Sequence, residues 1–143
     1  MSGEKDLAKL IASMMPVLAE NEYVFATLEH HDYQQLEQLS PIGTFHEQEG
    51  LTVIVRKEKA DELHIVYSGV FKCITLNVHS SLDAVGLTAA VSGKLTQANI
   101  SANVVAAYYH DHVFIASKDA EKALAELNDL VQHGIKSYTN WIN

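Results

Sequence analysis

The sequence predicts a two-layer α/β protein of the α+β type, in which helices cover one face of a mixed sheet. Residues 71–134 read in order as strand, helix, tight hairpin and helix, which is a split βαβ unit. Apolar residues recur every second position in the strands and every third or fourth position in the helices. Such elements bury one face each, so a ferredoxin-like βαββαβ sandwich is the predicted architecture.

Composition places the chain among ordinary globular proteins. It has 143 residues, 48% hydrophobic and 20% charged, with a formal net charge of −8. That charge disfavours nucleic acid as a partner, and no apolar run approaches the ~20 residues that cross a bilayer, so no membrane partner is expected. The single cysteine, Cys73, and a start without signal-peptide features predict a cytoplasmic protein.

The first elements are predicted from spacing. Helical periodicity over residues 5–18 predicts an amphipathic helix that Pro16 kinks or ends near Met14; its apolar positions are Leu7, Leu10, Ile11, Met14 and Leu18. A short strand is expected at 22–28, and one or two helical turns near 33–39. A hairpin of residues 42–46 and 51–56 follows, with Gly50 in its turn because glycine tolerates a positive φ.

The middle of the chain predicts a domain boundary. A charged connector, 57–62, leads into a long β-type run from His64 to Val78. Gly69 inside this run indicates a bend between two subdomains. We therefore expect domains at residues 1–68 and 69–143, packed together without a flexible linker.

The second half has the clearest pattern. Ile74, Leu76 and Val78 alternate with Cys73, Thr75 and Asn77 on the two faces of a strand. A helix follows with its apolar face at Ala84, Leu87, Val91, Leu95 and Ala98, capped by Ser81 or Asp83. A strand at 100–109 turns into a strand at 112–116, and Ser117 or Asp119 caps a last helix that ends at Gly134. The sheet face opposite the helices stays uncovered and partly apolar, so self-association is expected.

The segments from Asp83 to Leu95 and from Ala98 to Val104 resemble an ACT domain, a small regulatory fold that binds amino acids and related metabolites. Val85-Gly86-Leu87 corresponds to its first turn and Asn99-Ile100-Ser101 to its second. The whole chain is similar to small stand-alone tandem ACT proteins of bacteria, and to the ACT regions of arginine sensors and aspartate kinases. The resemblance implies that the first half is a degenerate copy, with strand 23–28, helix 33–39, hairpin 42–56, a stub helix 58–62 and strand 64–68.

A ligand site is predicted at the first turn of the second copy. Unpaired N–H groups at the start of a helix suit a carboxylate, and Gly86 allows close approach of a ligand. The residues of this corner are Ser80, Ser81, Leu82, Asp83, Ala84, Val85, Gly86 and Leu87. The resemblance implies that a neighbouring copy supplies the facing wall, from Ser101, Ala102, Asn103 and Val104. For these residues, helix capping and packing are the alternative interpretation.

Other functions are less well supported. His30-His31-Asp32 and His110-Asp111-His112 resemble metal-ligand clusters, but no third ligand is fixed by spacing, so exposed turns are expected and no metal or cofactor is assigned. No nucleophile elbow, phosphate loop or dinucleotide fingerprint occurs, so no enzyme is expected. Cys73 is expected to be a buried structural thiol. The predicted function is a regulatory sensor of a small molecule, an amino acid by resemblance, that acts through ligand-modulated self-association; the alternative is an interaction module that binds no ligand.

Overall fold

A computed structural model describes residues 6–78 and 85–138. The strands are β1 (Met15–Leu28), β2 (Gly43–Glu47), β3 (Gly50–Arg56), β4 (Phe71–Asn77), β5 (Asn103–Ala106) and β6 (Asp111–Ala116). The helices are α1 (Leu7–Ser13), α2 (Tyr33–Leu39), α3 (Lys57–Glu62), α4 (Leu87–Gln97) and α5 (Ala120–His133), with short 3₁₀ turns at Ser117–Asp119 and Gly134–Ser137.

The chain divides into two compact units. Unit 1 contains Met1–Ala19 and Cys73–Asn143, and unit 2 contains Glu20–Lys72. Unit 2 is therefore inserted in the sequence between two segments of unit 1, and β1 contributes its first residues to one unit and its last residues to the other. This division into compact units does not test the predicted domains 1–68 and 69–143, which stay a prediction.

Unit 2 contains the βαββα part of the predicted fold. Its strands lie in the order β2-β3-β1, and both outer strands pair antiparallel with β3. Because β1 and β2 then run in the same direction with β3 between them, this is a split βαβ arrangement. One sheet face forms the core with the helices, through Val24, Ala26, Leu28, Leu39, Leu51, Val53, Val55 and Ala60.

Unit 1 contains the second copy of the same order. Its strands follow β1-β4-β6-β5, so β6 lies between β4 and β5, which α4 connects. Strand β1 is next to β4, where a ferredoxin-like unit places its fourth strand, and the first residues of β1 belong to unit 1. Helix α1 packs with α4 and α5. The core is formed mainly by Leu10, Ile11, Met14, Ile74, Leu76, Val91, Leu95, Val113, Ile115, Leu127 and Leu130.

The first helix is shorter than its apolar spacing predicts. Asp6 caps α1 by accepting a hydrogen bond from the Lys9 backbone N–H at 3.2 Å, and the helix ends at Ser13. The predicted end near Met14 is confirmed, since Met14 is the C-cap of α1. The apolar spacing up to Leu18 does not continue the helix, because the chain is already extended at Met15. Leu18 still packs on the core of unit 1, but from a strand.

Two predicted strands are too long, and one helix starts late. The run 64–78 forms a strand only at Phe71–Asn77, so the strand expected at 64–68 is wrong; His64 has φ 56° and Gly69 has φ 80°, both outside the extended region. The strand expected at 100–109 is limited to Asn103–Ala106. Helix α4 begins at Leu87 with Gly86 as its N-cap; the predicted positions Ser81, Asp83 and Ala84 lie outside the described residues.

Other local predictions are confirmed. The β2–β3 hairpin pairs Glu47 with Gly50, whose φ is 156°. Helix α5 ends at Gly134 with φ 69°. Ile74 and Leu76 belong to the core of unit 1, while Thr75 lies on the other face of β4, where it contacts His112. The N-cap of α5 is Asp119, but its side chain makes no capping hydrogen bond.

Candidate functional site

The corner between β4 and α4 has a strained backbone that only glycine adopts without cost. Gly86 lies at the N-cap of α4 with φ 99°, in the left-handed region. Its carbonyl oxygen accepts the Ala90 N–H at 2.8 Å, which starts the helix. Val85 is 84% exposed and Leu87 is buried. The other predicted residues of this corner lie outside the described residues: Ser80, Ser81, Leu82, Asp83 and Ala84.

A side chain of unit 1 packs against this corner. A β-carbon added to Gly86 would lie 3.0 Å from Cδ2 of Leu7, on α1. The glycine therefore serves close packing between α1 and the start of α4. This contact agrees with the packing interpretation of Gly86, and it occupies one side of the corner that was predicted to receive a ligand.

The four residues predicted to form the facing wall lie on or next to β5. Ser101 and Asn103 are exposed, and Asn103 Nδ2 donates to the carbonyl oxygen of Phe114 at 3.2 Å. Ala102 and Val104 instead pack against the core of unit 1. Because β6 lies between β4 and β5, this wall is two strands away from β4 in one protomer. Its role in a site depends on a second copy, as the resemblance implies.

Unit 2 has a junction of the same kind that the sequence analysis did not select. β1 ends at Leu28, and α2 begins after Asp32, whose Oδ1 accepts the Gln35 N–H at 2.7 Å. An open depression of about 580 Å³ lies at this junction, lined by His30, His31, Asp32, Gln34, Gln35 and Gln38. The order strand, polar loop, helix was the signal that could have identified it, because the predicted corner of unit 1 has the same order.

The second histidine cluster lies at the β5–β6 hairpin. Nδ1 of His112 is 2.9 Å from Oγ1 of Thr75. Burial, and then the nearby charge of His110, lower the pKa of His112, while burial raises the pKa of Asp111. Within residues 6–78 and 85–138, no group of three or more histidine, cysteine or acidic side chains is placed to hold a metal ion.

Cys73 is buried and carries no disulfide. Burial raises the pKa of its thiol, so the reactive thiolate is disfavoured. The helices of the described residues also lack the length and apolarity needed to cross a membrane.

The fold and its strand–helix corners define a class of small regulatory domains. Family models described as ACT domain match residues 2–72 and 70–129. The chain belongs to the ACT-domain family, as two ACT domains in tandem. No functionally curated protein matches it.

Solved structures agree with this assignment. A Vibrio cholerae protein of unknown function, described as a possible transport protein, is 45% identical, with a TM-score of 0.81 over 90% of this chain and 98% of that chain. The ligand-free regulatory subunit of aspartate kinase from Thermus thermophilus is 10% identical, with a TM-score of 0.56 over 80% and 95% of the two chains. Clostridium acetobutylicum aspartate kinase is also 10% identical, with a TM-score of 0.61 over 85% of this chain and 34% of that enzyme. At such low identity the two kinase matches show the fold alone.

Proposed function

We propose that this protein is a cytoplasmic regulatory sensor that binds a small molecule of the amino-acid class and responds by a change in self-association. ACT domains are regulatory rather than catalytic, and the tandem match supports this type of role. The sites proposed are the corner of Val85, Gly86 and Leu87 with its preceding residues, and a wall from Ser101 to Val104 of a second copy.

One observation carries the proposal most directly. In both ACT units the sequence between the first strand and the first helix is rich in polar residues, and in unit 2 that junction opens into the depression of about 580 Å³. The imidazoles, carboxylate and amides that line it can donate to and accept from the ammonium and carboxylate groups of an amino acid. In unit 1 Gly86 places no side chain of its own at the equivalent position, although Leu7 packs against one side of it.

Ligand binding is tested by thermal unfolding of the whole chain with a panel of the common amino acids at millimolar concentration. A ligand at about 100 times its dissociation constant adds about 2.7 kcal/mol to the free energy of unfolding. Gln38→Ala tests the depression of unit 2, and Ser101→Ala tests the wall of unit 1. A ligand-induced shift that both variants retain in full would place the binding site elsewhere.

A specific contact favours the alternative, an interaction module without a ligand. Leu7 packs against the Gly86 corner, so this corner is partly filled by the protein itself. Under that alternative, no amino acid, nucleotide or metal changes the midpoint of unfolding. Leu7→Ala separates the two functions further, because emptying the corner of unit 1 strengthens a ligand response but leaves an interaction module without one.

A further inference from the structure

The sheet of unit 2 has one face that its helices do not cover. Phe45 of β2 and Thr27 of β1 both pair directly with Thr52 of β3. Directly paired residues point to the same side of a sheet, so these three side chains share one face. Side chains alternate between the two faces along a strand, so Val24 of β1 and Val53 of β3 point to the opposite face, where they belong to the buried core.

This outer face carries a groove and, next to it, a projecting ring. The groove has a volume of about 530 Å³ and is lined mostly by apolar atoms of Phe25, Ala26, Thr27, Glu47, Thr52, Val66, Tyr67 and Ser68. Phe45 does not line it and is 70% exposed, and Val66 on the rim is 88% exposed. A closed cavity of about 150 Å³ holds a benzene ring; the groove is larger but open to solvent, so a phenylalanine ring can lie against it.

We propose that a second copy of this chain covers this face, with Phe45 of each copy inserted into the groove of the other. A two-fold interface needs a surface that is complementary to itself, so that each contact occurs twice. Phe45 and Thr52 are a cross-strand pair, so the ring and the groove lie side by side on one surface. This interface would produce the self-association of the proposed function, and it therefore rests on that function.

The size of the face indicates how strong the pairing is. Three strands about 4.8 Å apart, each about 17 Å long over five residues, and the shorter 66–68 segment, about 10 Å long, give a flat footprint of about 300 Å². A standard stable interface buries about 800 Å² on each partner. The predicted dimer is therefore weak and reversible, which is the range in which a ligand with differential affinity shifts the population of an assembly.

The charge of the chain predicts how self-association depends on salt. The lining includes the carboxylate of Glu47, held by the hydroxyl of Thr52, and no lysine or arginine. Each copy has a formal net charge of −8, so two copies repel each other at low ionic strength. Because salt screens this repulsion, self-association strengthens as salt is added. A positively charged partner on the same groove would instead dissociate with salt.

The test is sedimentation velocity of the full chain from about 1 µM to 1 mM, at low and high salt. Wild type is expected to dimerise reversibly, and more tightly at high salt. Phe45→Ser removes the ring and Thr27→Arg obstructs the groove; each weakens the dimer about 30-fold, the equivalent of a 2 kcal/mol hot spot. Tyr33→Ser is the matched control, because Tyr33 on α2 is an aromatic residue that is 91% exposed and removed from the groove.

Three results overturn the inference: wild type that stays monomeric over this range, Phe45→Ser that dimerises like wild type, or Tyr33→Ser that loses as much affinity as Phe45→Ser. Thermal unfolding with the amino-acid panel on the same samples tests the proposed function separately. A ligand-induced shift together with association unchanged in Phe45→Ser rejects this interface and leaves ligand binding intact. Loss of association in Phe45→Ser without any ligand shift keeps the interface and rejects the sensor.

Discussion

The ring of Tyr138 occupies the space that a side chain on Gly93 would need. A β-carbon added to Gly93 would lie 2.6 Å from Cε2 of Tyr138 and 3.2 Å from its Cδ2. Gly93 is in the middle of α4, and Tyr138 follows the last 3₁₀ turn of the described chain. Because Tyr138 is buried in the core of unit 1, the glycine lets the ring of Tyr138 pack directly on the backbone of α4.

This contact predicts that the effect of Gly93→Ala on the free energy of unfolding changes sign when the ring of Tyr138 is removed. In wild type, Gly93→Ala lowers the free energy of unfolding by about 1–3 kcal/mol, since overpacking exceeds the gain in helix propensity. In a Tyr138→Ala background the same substitution raises it by about 1 kcal/mol, the usual advantage of alanine over glycine in a helix. Urea unfolding of the wild type, the two single variants and the double variant measures both values. Equal effects in the two backgrounds would show that the ring does not limit position 93.

Gly86 should be sensitive to any side chain. Its φ of 99° and the 3.0 Å approach to Leu7 mean that Gly86→Ala costs about 1–3 kcal/mol of stability. Leu7→Ala relieves the contact but not the backbone strain, so the double variant recovers only part of the loss. Chemical unfolding measures these differences, with Gly134→Ala as control, because Gly134 also has a positive φ but open space around it. Full recovery in the double variant would assign the whole cost to the Leu7 contact.

Lys94 is a buried cation, 3% exposed, on the core side of α4. It donates to the carboxylate of Asp129 and, at 3.2 Å, to the carbonyl oxygen of Ser137, and Glu126 lies 3.5 Å away. The hydrogen bond from Lys94, followed by that from His133, lowers the pKa of Asp129. Its stabilisation is therefore present above the unfolded value of 3.8 and is lost as the pH falls through the folded value.

Asp129→Asn is accordingly expected to lower stability at pH 7 and to reduce its loss below pH 3.8. Urea unfolding from pH 7 into the acid range checks both parts. Asp119→Asn is a suitable control, since Asp119 makes no side-chain cap on α5. An unchanged acid profile in Asp129→Asn would mean that the Lys94 contact does not contribute to stability.

The lowered pKa of His112 predicts a second dependence of stability on pH, near neutrality. Burial, then His110, holds its folded pKa below 6.5, so the unfolded chain binds the proton more readily. Stability is therefore present above pH 6.5 and falls as the pH drops through the folded value. The raised pKa of Asp111 acts in the opposite direction. Its unfavourable effect on stability is relieved as the pH falls through its folded pKa towards 3.8. Stability measured from pH 8 to 5 should fall for wild type and stay flatter for His112→Gln; identical slopes contradict the prediction.

Local chemistry explains the parts of the fold that were predicted correctly. Gly50 and Gly134 mark a hairpin and a helix end because both need a positive φ, and α5 follows its apolar spacing over Ala120–His133. The predictions that failed depend on distant partners. Apolar spacing extended the first helix to Leu18, yet the residues after Met14 form strand β1, whose pairing with other strands was not visible in the sequence.

The candidate site was also predicted only in part. The glycine of its corner was identified from the strand–turn–helix order, and the left-handed φ of Gly86 agrees with that reasoning. The packing of Leu7 on it was not foreseeable, because α1 is about eighty residues away in the chain. The depression of unit 2 was overlooked because His30 and His31 were considered only as metal ligands.

By itself, the sequence determined the short-range features: which segments are helices, where the turns lie, and which residues of β4 face the core. Those features depend on backbone dihedral preferences and on the period of apolar residues, which act over a few positions. Only the tertiary structure decided that the start of the chain completes unit 1, that Lys94 is buried against Asp129, and that Phe45 stays exposed. Strand pairing and burial join residues far apart in sequence, so no local pattern encodes them.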